Sequence, residues 1–140
     1  MGTVQEQLFT WSARYQVGID FADVQHQQLA DIINRLHQAL REGKEKTVVG
    51  RTLDELIRCS KAHFAAEEKV LESCGYPEAN AHHSEHECLV YSILKLYQDL
   101  MRDDASLTTH SVDFLKDWLG QEILNVDMKC APFLKGHGVP

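Results

Sequence analysis

Two short stretches place metal-binding side chains at helical spacing. "HFAAE" sets His63 and Glu67 four residues apart, and "HHSEH" sets His82 and His86 four apart. Residues i and i+4 leave an α-helix from the same face, so each pair aims two donor groups at one place. Inward-facing imidazoles joined by a carboxylate are how helical bundles hold two metal ions in their cores. Imidazole and carboxylate donors suit iron, manganese or zinc, and no cysteine is expected in the cluster, which argues against a soft thiolate site. A lone histidine is more often a surface or satisfied core residue, so the pairs carry weight only together. His26, in "DVQHQQL", precedes Leu29 and Ile33 by three and seven residues and so turns toward the core side of its helix. Asp127, late in the last apolar stretch, is placed to complete the set. Each helix would then supply at least one donor, which only a closed bundle can arrange.

The elements that must position these residues are legible as apolar stripes. From Asp23 to Leu40 apolar residues recur at Leu29, Ile32, Ile33, Leu36, Ala39 and Leu40, with helical period. "REGKEK" breaks the pattern, and Gly43 is a C-cap candidate. A second stripe runs through Leu53, Leu56, Ile57, Phe64, Val70 and Leu71 to "CGYP", where Gly75 and Pro77 punctuate. The third holds Leu89, Val90, Ile93, Leu96, Tyr97 and Leu100. After "RDDAS" the fourth holds Val112, Leu115, Trp118, Leu119, Ile123 and Val126. "LFTWSARYQVGID" is richer in aromatic and β-branched residues and reads as an extended arm packed on the helices. The expected fold class is all-α, an antiparallel up-down four-helix bundle with an extended N-terminal arm, in a single domain over residues 1–140.

Bulk properties set outer bounds. A chain of 140 residues suits one domain with a real core. A net charge of −7 disfavours phosphate backbones and anionic membranes, so no nucleic-acid or membrane partner is expected. No apolar run approaches the ~20 residues of a membrane span, and no signal-peptide pattern opens the sequence. The four cysteines are scattered without a CxxC pair, which favours reduced thiols and a cytoplasmic location. Nothing in the sequence points to a protein partner.

The ordered motifs as a set resemble the bacterial hemerythrin family over nearly the whole chain. The matching pieces are Trp11, Tyr15, Val17, Gly18 and Ile19; Asp23, Gln25 and His26; His63, Phe64, Glu67 and Glu68; Gly75, Tyr76, Pro77, His82 and His86; and Phe114 to Leu119, Ile123 and Asp127. The resemblance implies a centre of two non-haem iron ions bridged by oxo or hydroxo, binding O2 reversibly at one iron, for storage, delivery or sensing. It implies that His26 and His63 hold the iron that meets O2, that His82 and His86 hold the other, and that Glu67 and Asp127 bridge. By position in the family, Leu29, Phe64, Trp118, Leu119 and Ile123 line a dry O2 pocket; ordinary core packing is an equally compatible role for them.

At one ligand position the sequence departs from the family. Where the pattern has a histidine five residues before the bridging aspartate, this chain has Glu122. Three readings follow: Glu122 ligates the iron of His82 and His86, or it turns aside, or the site takes up little metal and the bundle serves interaction. The first is favoured, because a core-facing carboxylate without a partner is costly and ligation offsets that cost. An added anion favours the ferric state, so a centre prone to autoxidation is expected, and an O2- or peroxide-reducing enzyme is the alternative function. His83, about 100° around the helix from His82, is expected in solvent, as are His110 and His137. Cys88 reads as a small buried or partly exposed thiol, and "CAPFLKGHG" as a tail packed across the bundle.

Overall fold

Each apolar stripe becomes one rod of a bundle in the computed structural model, which describes residues 7–102 and 108–140. Helices α1 (Asp20–Arg41), α2 (Lys46–Cys74) and α3 (Ala79–Met101) are unbroken. The fourth rod joins α4 (Thr109–Val112), α5 (Phe114–Gln121), a π-helical stretch (Glu122–Asp127) and α6 (Met128–Gly136). Its backbone stays in the right-handed helical region at Asp113, Glu122, Asp127 and Met128, so these pieces run on as one rod. α1 packs on α2, α2 on α3, α3 on the π-helical stretch, and α5 back on α1, which closes the all-α four-helix bundle expected from the sequence. No strand occurs among the described residues. Of the "RDDAS" break, Arg102 caps α3, while residues 103–107 lie outside the described residues.

The buried faces keep a strict three-and-four spacing. α1 buries Ala22, His26, Leu29, Ile33 and Leu36; α3 buries His82, His86, Leu89, Ile93, Leu96 and Leu100. The core stripe of α2 runs Val49, Leu53, Leu56, Ser60, His63, Glu67 and Leu71. The polar members therefore share a face with leucines and isoleucines, and the chain direction decides where they meet. They fall early in α1 and α3 and late in α2 and the fourth rod, which an up-down path brings to one end of the bundle. The opposite end is built on Leu36, Leu53, Leu56, Leu96, Leu100 and Leu115.

Helix ends follow their sequence signals. Gly43 and Gly75 take positive φ of 66° and 69°, the left-handed conformation that closes α1 and α2. The Tyr76 amide then donates to the Leu71 carbonyl at 3.0 Å, turning the chain toward α3. The N-terminal arm carries only a 3-10 turn at Ala13–Tyr15 and is fastened by side chains. Asn34 of α1 accepts from the Phe9 amide and donates to the Phe9 carbonyl, both at 2.8 Å, and Phe9 is buried against Tyr15. Asp23 accepts from the amides of Val17 and Gly18.

One expectation is corrected. The "CAPFLKGHG" segment does not cross the bundle; it continues the fourth rod as α6 despite Pro132. Cys130, Ala131 and Leu134 extend the buried stripe, and Phe133 stacks edge-on against Tyr76, so burial outweighs the one backbone bond a proline cannot donate. Of the two alternatives for Cys88, buried or partly exposed, the structure takes the exposed one, because Cys88 lies on the outer face opposite the stripe of His82, His86 and Leu89.

Candidate metal centre

The three buried carboxylates among the described residues, Glu67, Glu122 and Asp127, meet four buried histidines at the polar end of the bundle. An α-helix turns about 100° per residue, so side chains five apart point about 140° away from each other. Glu122 and Asp127 nevertheless both face inward, because the rod switches to π-helical winding across this interval and the longer turn brings them to one side. The π turn was not foreseen; the five-residue spacing of two inward acids was its signal.

Two carboxylates each spread their oxygens over both histidine pairs. Glu67 Oε2 stands 3.2 Å from His63 Nε2, while its Oε1 stands 2.9 Å from His82 Nε2 and 3.4 Å from His86 Nε2. Asp127 Oδ2 lies 2.5 Å from His26 Nε2 and 3.6 Å from His63 Nε2, and its Oδ1 lies 3.4 Å from His82 Nε2. Glu122 neither turns aside nor faces one pair alone. Its side chain is fully buried, with Oε1 3.5 Å from His63 Nε2 and 3.4 Å from His86 Nε2. Donor atoms of His26, His63, Glu67, Glu122 and Asp127 lie within 4.8 Å of one another, and a second such group holds Glu67, His82, Asp127 and Cys130.

These residues fit a pair of metal ions. His63 Nε2, His86 Nε2, both oxygens of Glu67 and of Glu122, and Asp127 Oδ1 are buried without a hydrogen bond of acceptable geometry. Each such atom costs about 1–3 kcal/mol when left unpaired, and all converge on one region. Two donors on one first-row ion at about 2.0–2.2 Å stand roughly 2.8–3.5 Å apart, and of the separations above only those of Asp127 Oδ2, 2.5 Å from His26 and 3.6 Å from His63, fall outside that range. Around the donors, the amide oxygen of Gln25 lies 2.6 Å from His63 Nδ1, so that nitrogen carries the proton and Nε2 is left to face the cluster. Gln25 is a contributor the sequence reading quoted without giving it a role.

Without metal the cluster holds protons instead. Burial disfavours charge on His82, yet Asp127, Cys130 and Glu67 outweigh it and pull its pKa up to about 12; His86 rises to about 9 against the same burial, beside Glu122 and Glu67. His63 likewise sits well above the ordinary imidazole value. Burial, and then the nearby Asp127 charge, push Glu122 up to about 8. Burial works against an ionised Asp127, but hydrogen bonds from its neighbours hold it well below the usual carboxylate range.

One sequence expectation fails here: the cluster does contain a cysteine. Cys130 is buried, with Sγ 3.8 Å from His82 Nε2 and 3.3 Å from the Asp127 carbonyl oxygen. Its signal was the three-residue step from Asp127, one turn along the same face. His110 and His137 are exposed as expected. His83 is exposed too, but it is paired with Glu68 and Glu87 rather than merely hydrated.

The apolar side chains expected around the centre are all buried. Phe64 stacks on His86 with ring centres 4.0 Å apart and meets Trp118 at 6.4 Å. Trp118 satisfies its indole N–H by donating to the Leu89 carbonyl at 2.9 Å, which ties α5 to α3. Leu29 lies one turn beyond His26, and Leu119 and Ile123 flank Glu122 on the inner face.

A four-helix bundle gathering imidazoles and shared carboxylates at one end defines a di-metal-binding class, and comparison with known proteins agrees. The Hemerythrin HHE cation binding domain matches residues 17–134. A bacteriohemerythrin of Methylococcus capsulatus is 33% identical over 128 residues, covering 91% of this chain and 97% of that protein. A bacteriohemerythrin of Stenotrophomonas maltophilia is 29% identical over 130 residues, covering 93% and 84%. The crystal structure of wild-type hemerythrin superposes with a TM-score of 0.84 at 33% identity, covering 91% of this chain and 98% of that one. The chain belongs to the hemerythrin family, a class of di-iron, O2-binding four-helix bundles.

Proposed function

We propose that this protein takes up O2 at two iron ions for storage, delivery or sensing, with a carboxylate-rich centre that autoxidises readily. The observation that carries this reading is the division of Glu67 and Asp127 between two histidine pairs, one oxygen to each side. His26 and His63 would hold one iron and His82 and His86 the other, with Glu67 and Asp127 donating toward both. When bound, the iron pair supplies the electrons that O2 accepts. The protein orients the donors, and Leu29, Phe64, Trp118, Leu119 and Ile123 would keep water and its protons from the pocket. The acidic surface and the scattered thiols support a cytoplasmic protein that binds no nucleic acid, in one domain over residues 1–140.

Glu122 sets the electronic character of the centre. With two ferrous ions bound, Glu67 and Asp127 would offset part of their positive charge, and an ionised Glu122 would offset one further unit. Lower positive charge stabilises the ferric state. The Glu122→His variant therefore has a higher reduction potential and a slower loss of its O2-dependent colour, by about tenfold or more per ~1.4 kcal/mol of charge stabilisation removed. Equal lifetimes in parent and variant would remove the electrostatic account. The third carboxylate also favours a second reading, an enzyme that reduces O2 or peroxide. Loading the chain with ferrous iron under anaerobic conditions and admitting O2 separates the two. A visible band that appears with O2 and fades on its removal marks a carrier, and continuous O2 consumption with added reductant marks an enzyme. Absence of iron uptake defeats both.

A further inference from the structure

We propose that Cys130 supplies a sulfur donor to the metal position of His82, so that the two halves of the centre differ in chemistry. This rests on the di-metal reading above but goes beyond it, since imidazole and carboxylate alone account for that reading.

The placement is specific. Cys130 follows Asp127 by three residues, just after the π turn, where the buried stripe passes from the donor cluster to the apolar core, and its thiol borders both. Sγ stands 3.8 Å from His82 Nε2, the nitrogen that also faces Glu67 at 2.9 Å and Asp127 at 3.4 Å. Donor atoms of Glu67, His82, Asp127 and Cys130 lie within 4.8 Å of one another and all four residues are buried. A sulfur at about 2.3 Å and a nitrogen at about 2.0–2.1 Å from one ion stand roughly 3.0–3.6 Å apart, so a shift of a few tenths of an ångström completes the set.

A second observation points to a ligand at this spot. Glu67 Oε1 and Asp127 Oδ1 both face His82 and both are buried without a hydrogen bond. Buried cysteines are ordinarily small apolar fillers. This thiol packs at the edge of the apolar core, but its polar neighbours are an imidazole nitrogen and a backbone carbonyl. The other half of the centre has no sulfur: Glu122 groups with His26, His63, Glu67 and Asp127. Glu122 stands between the pairs, 3.5 Å from His63 and 3.4 Å from His86, while the position at His82 gains a thiol from one turn further along the rod. Nitrogen, oxygen and sulfur donors then distinguish that position from the first, which is a nitrogen and oxygen site.

The test uses the full-length chain loaded anaerobically with cobalt(II), a spectroscopic probe whose thiolate complexes absorb in the near ultraviolet. Metal content is measured on the same samples. The expected result is cobalt at both positions, with a near-ultraviolet band that is lost in Cys130→Ser and kept in Cys88→Ser, whose thiol is exposed. X-ray absorption of the zinc-loaded parent chain, which needs no variant to fold, is expected to show a sulfur shell at about 2.3 Å. Full cobalt loading with no band that depends on Cys130, together with no sulfur shell on zinc, overturns the inference while the di-metal reading stands. Failure to bind cobalt, zinc or iron overturns the reading and the inference with it.

Discussion

The two ends of this bundle are built on the same register and held by opposite physics. At the apolar end Leu36, Leu53, Leu56, Leu96, Leu100 and Leu115 fill the space between rods, and each gains by leaving water. At the polar end His26, His63, His82, His86, Glu67, Glu122 and Asp127 occupy equivalent positions and each loses by leaving water. The first end folds the chain and the second depends on the first to hold charged groups where metal can satisfy them. The apolar end therefore works as scaffold, and the polar end as a site whose stability is conditional on its ligand.

The comparison breaks most sharply at Glu67, the carboxylate that faces His63, His82 and His86 together. Glu67→Gln keeps the shape but removes the shared charge. Metal uptake by the loaded chain is expected to weaken by at least ~100-fold, since even residues that only support ligands are worth 10–100-fold. Retention of both metals, measured as metal per chain, would show that Glu67 does not span the pair. At the other end, Leu53→Ala is expected to cost about 2–5 kcal/mol in urea unfolding while leaving metal stoichiometry unchanged. If that variant also loses metal, the division into scaffold and site fails and the ends are coupled.

The smallest effect is a pH dependence of opposite sign with and without metal. His86 and His82 have folded-state pKa values raised to about 9 and about 12, and Glu122 to about 8. A raised value contributes stability that is fully present below the unfolded pKa and is lost as pH climbs through the folded one. Between pH 6.5 and 9 the metal-free protein should therefore lose stability steadily, read as a falling thermal midpoint. Metal displaces those protons, so apparent metal affinity should rise over the same interval. A metal-free midpoint that climbs with pH would contradict the protonated cluster.

Much of the scaffold was legible because helical period is a local property. The stripes, the stops at Gly43 and Gly75, and the i, i+4 pairs His63–Glu67 and His82–His86 need only spacing along one helix. What could not be read depended on winding or on neighbours. The π turn moves Asp127 by most of a quarter-turn relative to an α-helix, and local propensity in "EILNVD" does not announce it. The tail continues as helix because the burial of Cys130 and Leu134 against other rods outweighs the bond that Pro132 cannot donate, and that burial exists only in the packed bundle. The approach of Cys130 to His82 is not local either: it spans 48 residues and exists only after α3 and the fourth rod pack.

By its sequence alone this chain determined a four-rod bundle and the donor types available to it, since both follow from residue identity and spacing within single helices. The tertiary structure alone decided which donors share an ion: Glu122 faces both histidine pairs, Gln25 sets the proton on His63, and Cys130 reaches His82. The physical reason is range. Burial stripes are set within a turn or two of helix, whereas coordination is set by separations of a few ångströms between side chains on different rods, which no single segment encodes.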